Sequence, residues 1–238
     1  MVILEQLLKF GKGTIPLIIS VPHGGTIECK DIPKRSKGVL GIDKATIELA
    51  FKFIFYIEHI SEKKYSIQKK PSYAISKLRR NNIDLNRKEE EAYDKNSNLA
   101  KKIYGFYHNK IREIINLNLK LYNRSLLIDI HGFDKNKRPA GYRNVELVLG
   151  TNNLKSITNI PVSKRDRNNN IRGKIIKKFL ELKIPIAPAY PRRNEYVLIG
   201  GYTIQQYGAV QIPNSQAIQI EFSDRVRLYD KELKEKVL

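Results

Sequence analysis

Cysteine is nearly absent from this 238-residue chain, and the single Cys29 excludes both an intramolecular disulfide and a zinc module built on cysteine pairs. It reads as a buried or incidental thiol rather than a reactive one. Long hydrophobic runs are missing as well. The longest, Ile15 to Val21 and Ser125 to Ile130, have the length of strands and fall far short of the ~20 residues a membrane span needs. Met1 to Phe10 has neither a basic start nor a small-residue cleavage site, so the expectation is a cytoplasmic protein that does not enter a membrane. Acidic residues are scarce: 24 Asp and Glu stand against 44 Lys and Arg, a net charge of +20 that any functional reading must address. A hydrophobic fraction of 41% is nevertheless enough for a core, which argues against disorder.

The patterning is that of alternating strands and helices. Ile15 to Val21 is a continuous apolar run stopped by Pro22-His23-Gly24-Gly25, as in a buried central strand and its exit loop. Asp43 is placed to cap or open a helix carrying Ile47, Ala50, Phe51, Ile54 and Phe55 at helical spacing. A strand is expected over 73–78, a polar stretch over 79–88, and a long amphipathic helix over 92–121. Ser125 to Ile130 is the clearest buried strand and runs into His131-Gly132. A basic loop with Lys135, Lys137 and Arg138 follows, then a strand over 145–149, a helix over 170–182, a short strand over 184–187, a Gly200-Gly201-Tyr202 turn, a strand over 217–222, and a terminal helix from Asp224. This order predicts an α/β fold in which a mostly parallel sheet lies between two helical layers, with residues 1–238 forming one domain.

Two of only four histidines, His23 and His131, stand at the ends of the two most apolar strands, each beside a glycine. The carboxyl ends of strands are where open α/β sheets bind ligands, so both imidazoles can meet in one crevice. Taken singly, a strand-end histidine is more often a hydrogen-bonded structural residue than a ligand; the matched context favours the pair. Glu221 interrupts the apolar alternation of Ala217 to Phe222, either as a buried ion-pair partner of an arginine or as a catalytic carboxylate. Two histidines, a further carboxylate and a free glutamate are the parts of a catalytic zinc site. Asp84-Leu85-Asn86-Arg87 adds an arginine able to pair with a carboxylate and an asparagine beside it.

In order, Pro22-His23-Gly24-Gly25, Asp43 with Thr46 to Ala50, Asp84-Leu85-Asn86-Arg87, Asp129-Ile130-His131-Gly132, Gly200-Gly201-Tyr202 with Tyr207-Gly208, and Gln219-Ile220-Glu221 resemble the N-formylglutamate amidohydrolase family, similar in fold to zinc carboxypeptidases and aspartoacylase. The resemblance implies a Zn²⁺ hydrolase that removes a formyl or other acyl group from an N-acylated acidic amino acid, a small-molecule substrate. It implies His23 and His131 as metal ligands with a carboxylate as the third. Asp43 is preferred, with Glu28 the alternative, set too far beyond His23 for the carboxypeptidase pattern. Glu221 would be the general base, with Arg87 also at the catalytic centre, and Asn86, Arg87 and Tyr202 would bind substrate. One departure stands out: Gln205-Gln206 occupies the place of the family's basic pair, which bears on side-chain preference and not on the chemistry. Tyr107-His108 resembles a family pair and reads as a helix histidine behind the site rather than a ligand.

Two alternatives remain at this level. One is a related zinc amidase or peptidase acting on other amides. The other, of a different class, is a noncatalytic nucleic-acid-binding protein; its basic pairs at Lys34-Arg35, Arg79-Arg80, Lys164-Arg165 and Arg192-Arg193 are scattered through loops and match no recognised nucleic-acid motif.

Overall fold

A computed structural model describes residues 2–137 and 144–238; Arg138, assigned from sequence to a basic loop, lies outside the described residues. The seven strands among the described residues join one sheet: β1 (Leu8–Gly11), β2 (Leu17–Val21), β3 (Ser72–Ser76), β4 (Ser125–Phe133), β5 (Leu147–Gly150), β6 (Ile186–Ala187) and β7 (Ser215–Ser223), in the order β1-β3-β2-β4-β7-β5-β6. The pairings β3-β2, β2-β4, β4-β7 and β5-β6 are parallel; β1-β3 and β7-β5 are antiparallel. The mostly parallel α/β sheet expected from the sequence is therefore present, with an antiparallel step toward each edge.

Residue parity divides the core into two layers. Ile18, Leu127 and Ala217 face α1 (Val2–Leu7), α4 (Asn98–Tyr122) and α6 (Tyr202–Tyr207). Their neighbours Ile19, Ile128 and Ile218 face α2 (Thr46–Tyr65), α5 (Ile171–Glu181) and α7 (Lys231–Val237). Because side chains alternate along a strand, each central strand must be apolar on both faces, which is why these segments read as unbroken apolar runs. No helix among the described residues is long and apolar enough to cross a membrane.

Element boundaries differ from expectation where polar side chains find other partners. The long helix starts at Asn98 rather than near Ala92. A four-residue helix, α3 (Glu89–Ala92), ends first, and Ser97 then caps α4 by accepting a bond from the Ala100 N–H at 3.2 Å. Asp43 does not cap α2: Ala45 holds that position without a side-chain bond, and the Asp43 carboxylate turns inward to a buried cluster. β4 continues past Ile130 through His131 to Phe133. The terminal helix from Asp224 is broken into a π-helical turn, Arg225–Tyr229, and α7, whose first turn is capped by Asp230. Cys29 is buried and unbridged.

Candidate metal centre

The parity that builds the core also builds the site. On the face carrying Ile18, Leu127 and Ala217, the next residues toward the strands' carboxyl ends are Ser20 on β2, Asp129 and His131 on β4, and Gln219 and Glu221 on β7. Parallel register sets Ser20 beside Asp129, Asp129 beside Gln219, and His131 beside Glu221. The opposite face stays apolar to the ends, with Val21, Ile130, Ile220 and Phe222. Loops bring the remaining members: His23 directly after β2, Asp43 ahead of α2, and Asp84 and Asn86 after β3.

Three donor atoms converge. His23 Nδ1 and His131 Nδ1 are 3.2 Å apart, and Asp43 Oδ2 lies 3.2 Å from the second and 3.6 Å from the first. The opposite nitrogen of each imidazole faces a buried carboxylate: His23 Nε2 meets Asp84 Oδ1 at 2.6 Å, and His131 Nε2 meets Asp129 Oδ2 at 2.8 Å. Where each carboxylate accepts an Nε2–H, the imidazole's Nδ1 lone pair is directed at the common point. Carboxylate–histidine pairs orient metal-binding imidazoles in this way. Two such lone pairs and an anion are held together by a cation between them, a metal ion or a proton: burial lowers the His131 pKa, but charge and hydrogen bonds from Asp129 and Asp43 outweigh it and hold it well above the ordinary imidazole value. Donors bonded tetrahedrally to one ion at 2.0–2.1 Å would sit about 3.4 Å from each other, which the observed separations bracket. His23, Asp43 and His131, all buried, thus form a group that can hold a metal ion. Glu28 does not join it: its carboxylate is on the surface, paired with Lys34 at 2.7 Å and Arg79 at 3.3 Å.

The electrostatics follow from burial. Desolvation pushes the Asp43 carboxyl upward, but hydrogen bonds and charge from His131 and His23 outweigh it and hold the group far below the usual carboxylate range. Asp84 is likewise raised by burial and lowered more by His23 and Arg80, ending well down. Its second oxygen accepts from Arg80 Nε at 2.9 Å, with Arg35 Nη1 at 3.5 Å and Arg87 Nε at 3.8 Å. Glu221 is different. Burial raises its pKa and the proximity of Asp43 adds to this, with only partial opposition from His131. Among the described residues no arginine pairs with it; Gln219 Nε2 donates to Oε1 at 2.8 Å.

This cluster opens into a cavity of about 450 Å³. Its described lining includes Arg80, Asn86 and Arg87, Gly132, Phe133 and Lys137 at and after the end of β4, and Val197 to Gly201. The Arg87 side chain is 43% exposed there. Asn86 is fixed from both ends: its Oδ1 accepts the Thr203 N–H at 2.7 Å, and its Nδ2 approaches Gln219 Oε1 at 3.4 Å. Tyr202 stands behind Asn86 rather than on the cavity wall, its ring edge-on to His108 at 5.6 Å between centroids. His108 is buried in a tyrosine cluster, with Nδ1 2.8 Å from Tyr207 Oη. Gln205 bonds to Gly200 O and does not line the cavity.

Sequence reasoning gave no role to Asp129, Asp84, Ser20 or Gln219. For Asp129 a signal existed: an Asp two residues before a strand histidine shares its face. The pairing of Asp84 with His23 depends on how a loop folds back and has no local signature.

The molecule is thus an α/β protein with a buried His-Asp-His group at the carboxyl ends of its central strands, beside the buried Glu221. The same fold is found in the N-formylglutamate amidohydrolase from Ralstonia eutropha JMP134, with 13% identity, 97% of this chain and 93% of that chain covered, and a TM-score of 0.65. It is also found in a gene product of Agrobacterium tumefaciens, with 13% identity, coverages of 97% and 89%, and a TM-score of 0.56. No protein-family model and no curated protein matches the sequence.

Proposed function

We propose that this protein is a zinc-dependent amidohydrolase that removes a formyl or other short acyl group from an N-acylated α-amino acid. The observation that carries this reading is the convergence of His23 Nδ1, His131 Nδ1 and Asp43 Oδ2, with both imidazoles locked by Asp84 and Asp129, next to the free carboxylate of Glu221. His23, Asp43 and His131 would hold the ion, and the borderline nitrogen-and-oxygen donor set suits zinc. When bound, zinc supplies Lewis acidity that acidifies water and polarises a carbonyl.

The remaining work falls to the chain's own groups. Glu221, raised by burial, takes the proton of the attacking water and returns it to the departing amine. Gln219 holds one Glu221 oxygen and leaves the other free for that transfer. Arg87 and Asn86 receive the amino acid's carboxylate, the guanidinium by a charge-assisted pair and the amide from the side. Arg80 is already committed to Asp84, so Arg87 is the available fork. In support, the chain shares its fold with a protein described as an N-formylglutamate amidohydrolase.

Metal analysis of purified protein, followed by hydrolysis assays on N-formyl and N-acetyl amino acids with and without a chelator, tests the proposal. One zinc per chain and chelator-sensitive release of formate are expected. Glu221→Gln should keep the metal and lower turnover by roughly 10²–10⁴-fold. A full metal complement in His131→Ala, or unimpaired hydrolysis by Glu221→Gln, would overturn the assignment.

A further inference from the structure

Among the described residues lining the cavity is a short apolar loop, Val197-Leu198-Ile199, which carries no charged or hydrogen-bonding side chain. Val197 has φ 66°, and among the described positive-φ residues it is the β-branched one. A side chain branched at Cβ resists that conformation, so a surrounding structure must impose it. The imposition is visible. The Leu198 N–H donates to Tyr196 O at 2.9 Å, closing a γ-turn of the strained, positive-φ kind around Val197.

Both ends of this turn are clamped to one segment. Before it, Glu195 is buried: its Oε2 accepts the N–H groups of Thr151 at 2.7 Å and Asn153 at 2.9 Å, and Arg172 Nε lies 3.2 Å from its Oε1. The Glu195 N–H in turn donates to Asn153 Oδ1 at 2.8 Å. After the turn, Ile199 O accepts the Asn152 N–H at 2.6 Å. Between the clamps Val197 is 44% exposed and borders the cavity, which Val39 also lines as an exposed apolar residue. A buried ion pair and four backbone-directed bonds thus hold a strained valine at the mouth of the site.

We infer that Val197, with Leu198 and Ile199, is the specificity wall for the substrate's side chain, and that the preferred substrates are N-formyl or N-acetyl amino acids with an apolar side chain rather than an acidic one. This rests on the hydrolase reading for its chemistry but concerns recognition. An N-acylated amino acid carries two groups on Cα besides hydrogen and nitrogen. With the acyl carbon at Glu221 and the carboxylate at Arg87, the side chain is left for the remaining described lining, of which Val197 to Ile199 is the continuous apolar stretch. A second carboxylate there would meet hydrocarbon. Arg80 is spent on Asp84, and Lys137, the other cation on the described rim, is 82% exposed and paired with Asp134 at 3.4 Å.

The test compares N-formyl-leucine and N-formyl-phenylalanine with N-formyl-glutamate and N-formyl-aspartate on the zinc-loaded protein, by kcat/KM and, independently, by calorimetric binding. An apolar preference of at least about tenfold is expected in both readouts. Val197→Gly removes the wall and relieves the backbone; it should shrink that ratio several-fold while leaving the melting temperature equal or higher. Val197→Ala, which keeps the strain and loses only bulk, should shrink the ratio less. Equal or stronger binding of the acidic compounds, binding of neither class, or an unchanged ratio in Val197→Gly would overturn the inference. If apolar compounds bind more tightly but none is hydrolysed, the specificity wall stands and the hydrolase reading fails.

Discussion

Asp129 shows how a single buried carboxylate decides what its neighbour can do. It accepts the Ser20 hydroxyl and faces His131 Nε2 at 2.8 Å, so the imidazole's other nitrogen is left as an acceptor pointing at His23 and Asp43. Replacing it by Asn keeps the shape and an acceptor oxygen but removes the anion. Asp129→Asn should weaken metal binding by roughly 10–100-fold without unfolding the chain, measured by chelator competition alongside circular dichroism. Retention of full affinity would mean that strand geometry alone orients His131. Glu221 illustrates the complementary effect, since burial raises its pKa and, among the described residues, no arginine is paired with it. The deprotonated form is the base, so the acid limb of the kcat profile should lie above the range of an exposed glutamate. An acid limb in the ordinary carboxylate range would argue against Glu221 as the titrating group.

At the scale of elements, the site depends on close approach between loops and helix ends. Gly201 precedes α6, its N–H donates to Gln219 Oε1 at 2.7 Å, and a Cβ there would run into the Asn86 side chain. Since Asn86 also caps the first turn of α6 through Thr203, Gly201→Ala should push the amide off the cavity wall. The expected outcome is KM higher by about tenfold with zinc content unchanged, read from steady-state kinetics and metal analysis. Helix α4 carries a second consequence. Burial, with Arg112 adding to it, lowers the His108 pKa to about 4. The unfolded chain binds this proton near pH 6.5 while the folded chain refuses it until pH 4, so stability present above pH 6.5 is lost as the pH falls through that window. The loss amounts to roughly 3 kcal/mol at most. Denaturant titrations at pH 7 and 4.5 should show a smaller difference in His108→Phe than in the native sequence; an equal difference would place the acid sensitivity elsewhere.

For the whole molecule, the +20 charge divides into two populations. Arg35 and Arg80 come together on Asp84 and so belong to the scaffold of the site, with Arg87 beside them at 3.8 Å and open to the cavity, although the sequence scatters them. Many other cations are exposed and give a positive field around a cavity proposed to take a carboxylate. For an N-acyl amino acid, kcat/KM should therefore fall several-fold as ionic strength rises from about 0.01 to 0.15 M, with kcat nearly constant, because exposed charges act through a screened field. A salt-independent kcat/KM would show that the excess charge does nothing for encounter. Tight, steeply salt-dependent binding to DNA or RNA would instead favour a polyanionic partner.

How much was legible in the sequence follows from what is local. Apolar runs bounded by Gly and Pro determined β2, β4 and β7, and their two-sided burial announced a parallel sheet between helices, as found. His23 and His131 stood out because a polar residue at the end of such a run has few structural reasons to be there. Boundaries set by capping, such as Ser97 at α4, were less visible, since several polar residues competed for the role. What only the tertiary structure decided are the pairings across distance. Asp43 rather than Glu28 lies with the histidines, Asp84 reaches His23, and Glu195 clamps the strained turn at Val197. These depend on which loops the strand order β3-β2-β4-β7 brings to one edge of the sheet, a spatial fact that no short-range pattern encodes. The sequence by itself determined the layers and the chemistry at the strand ends; the fold decided which carboxylates meet them, because partners 61 and 88 residues apart become neighbours only when the strand order brings their loops to one edge of the sheet.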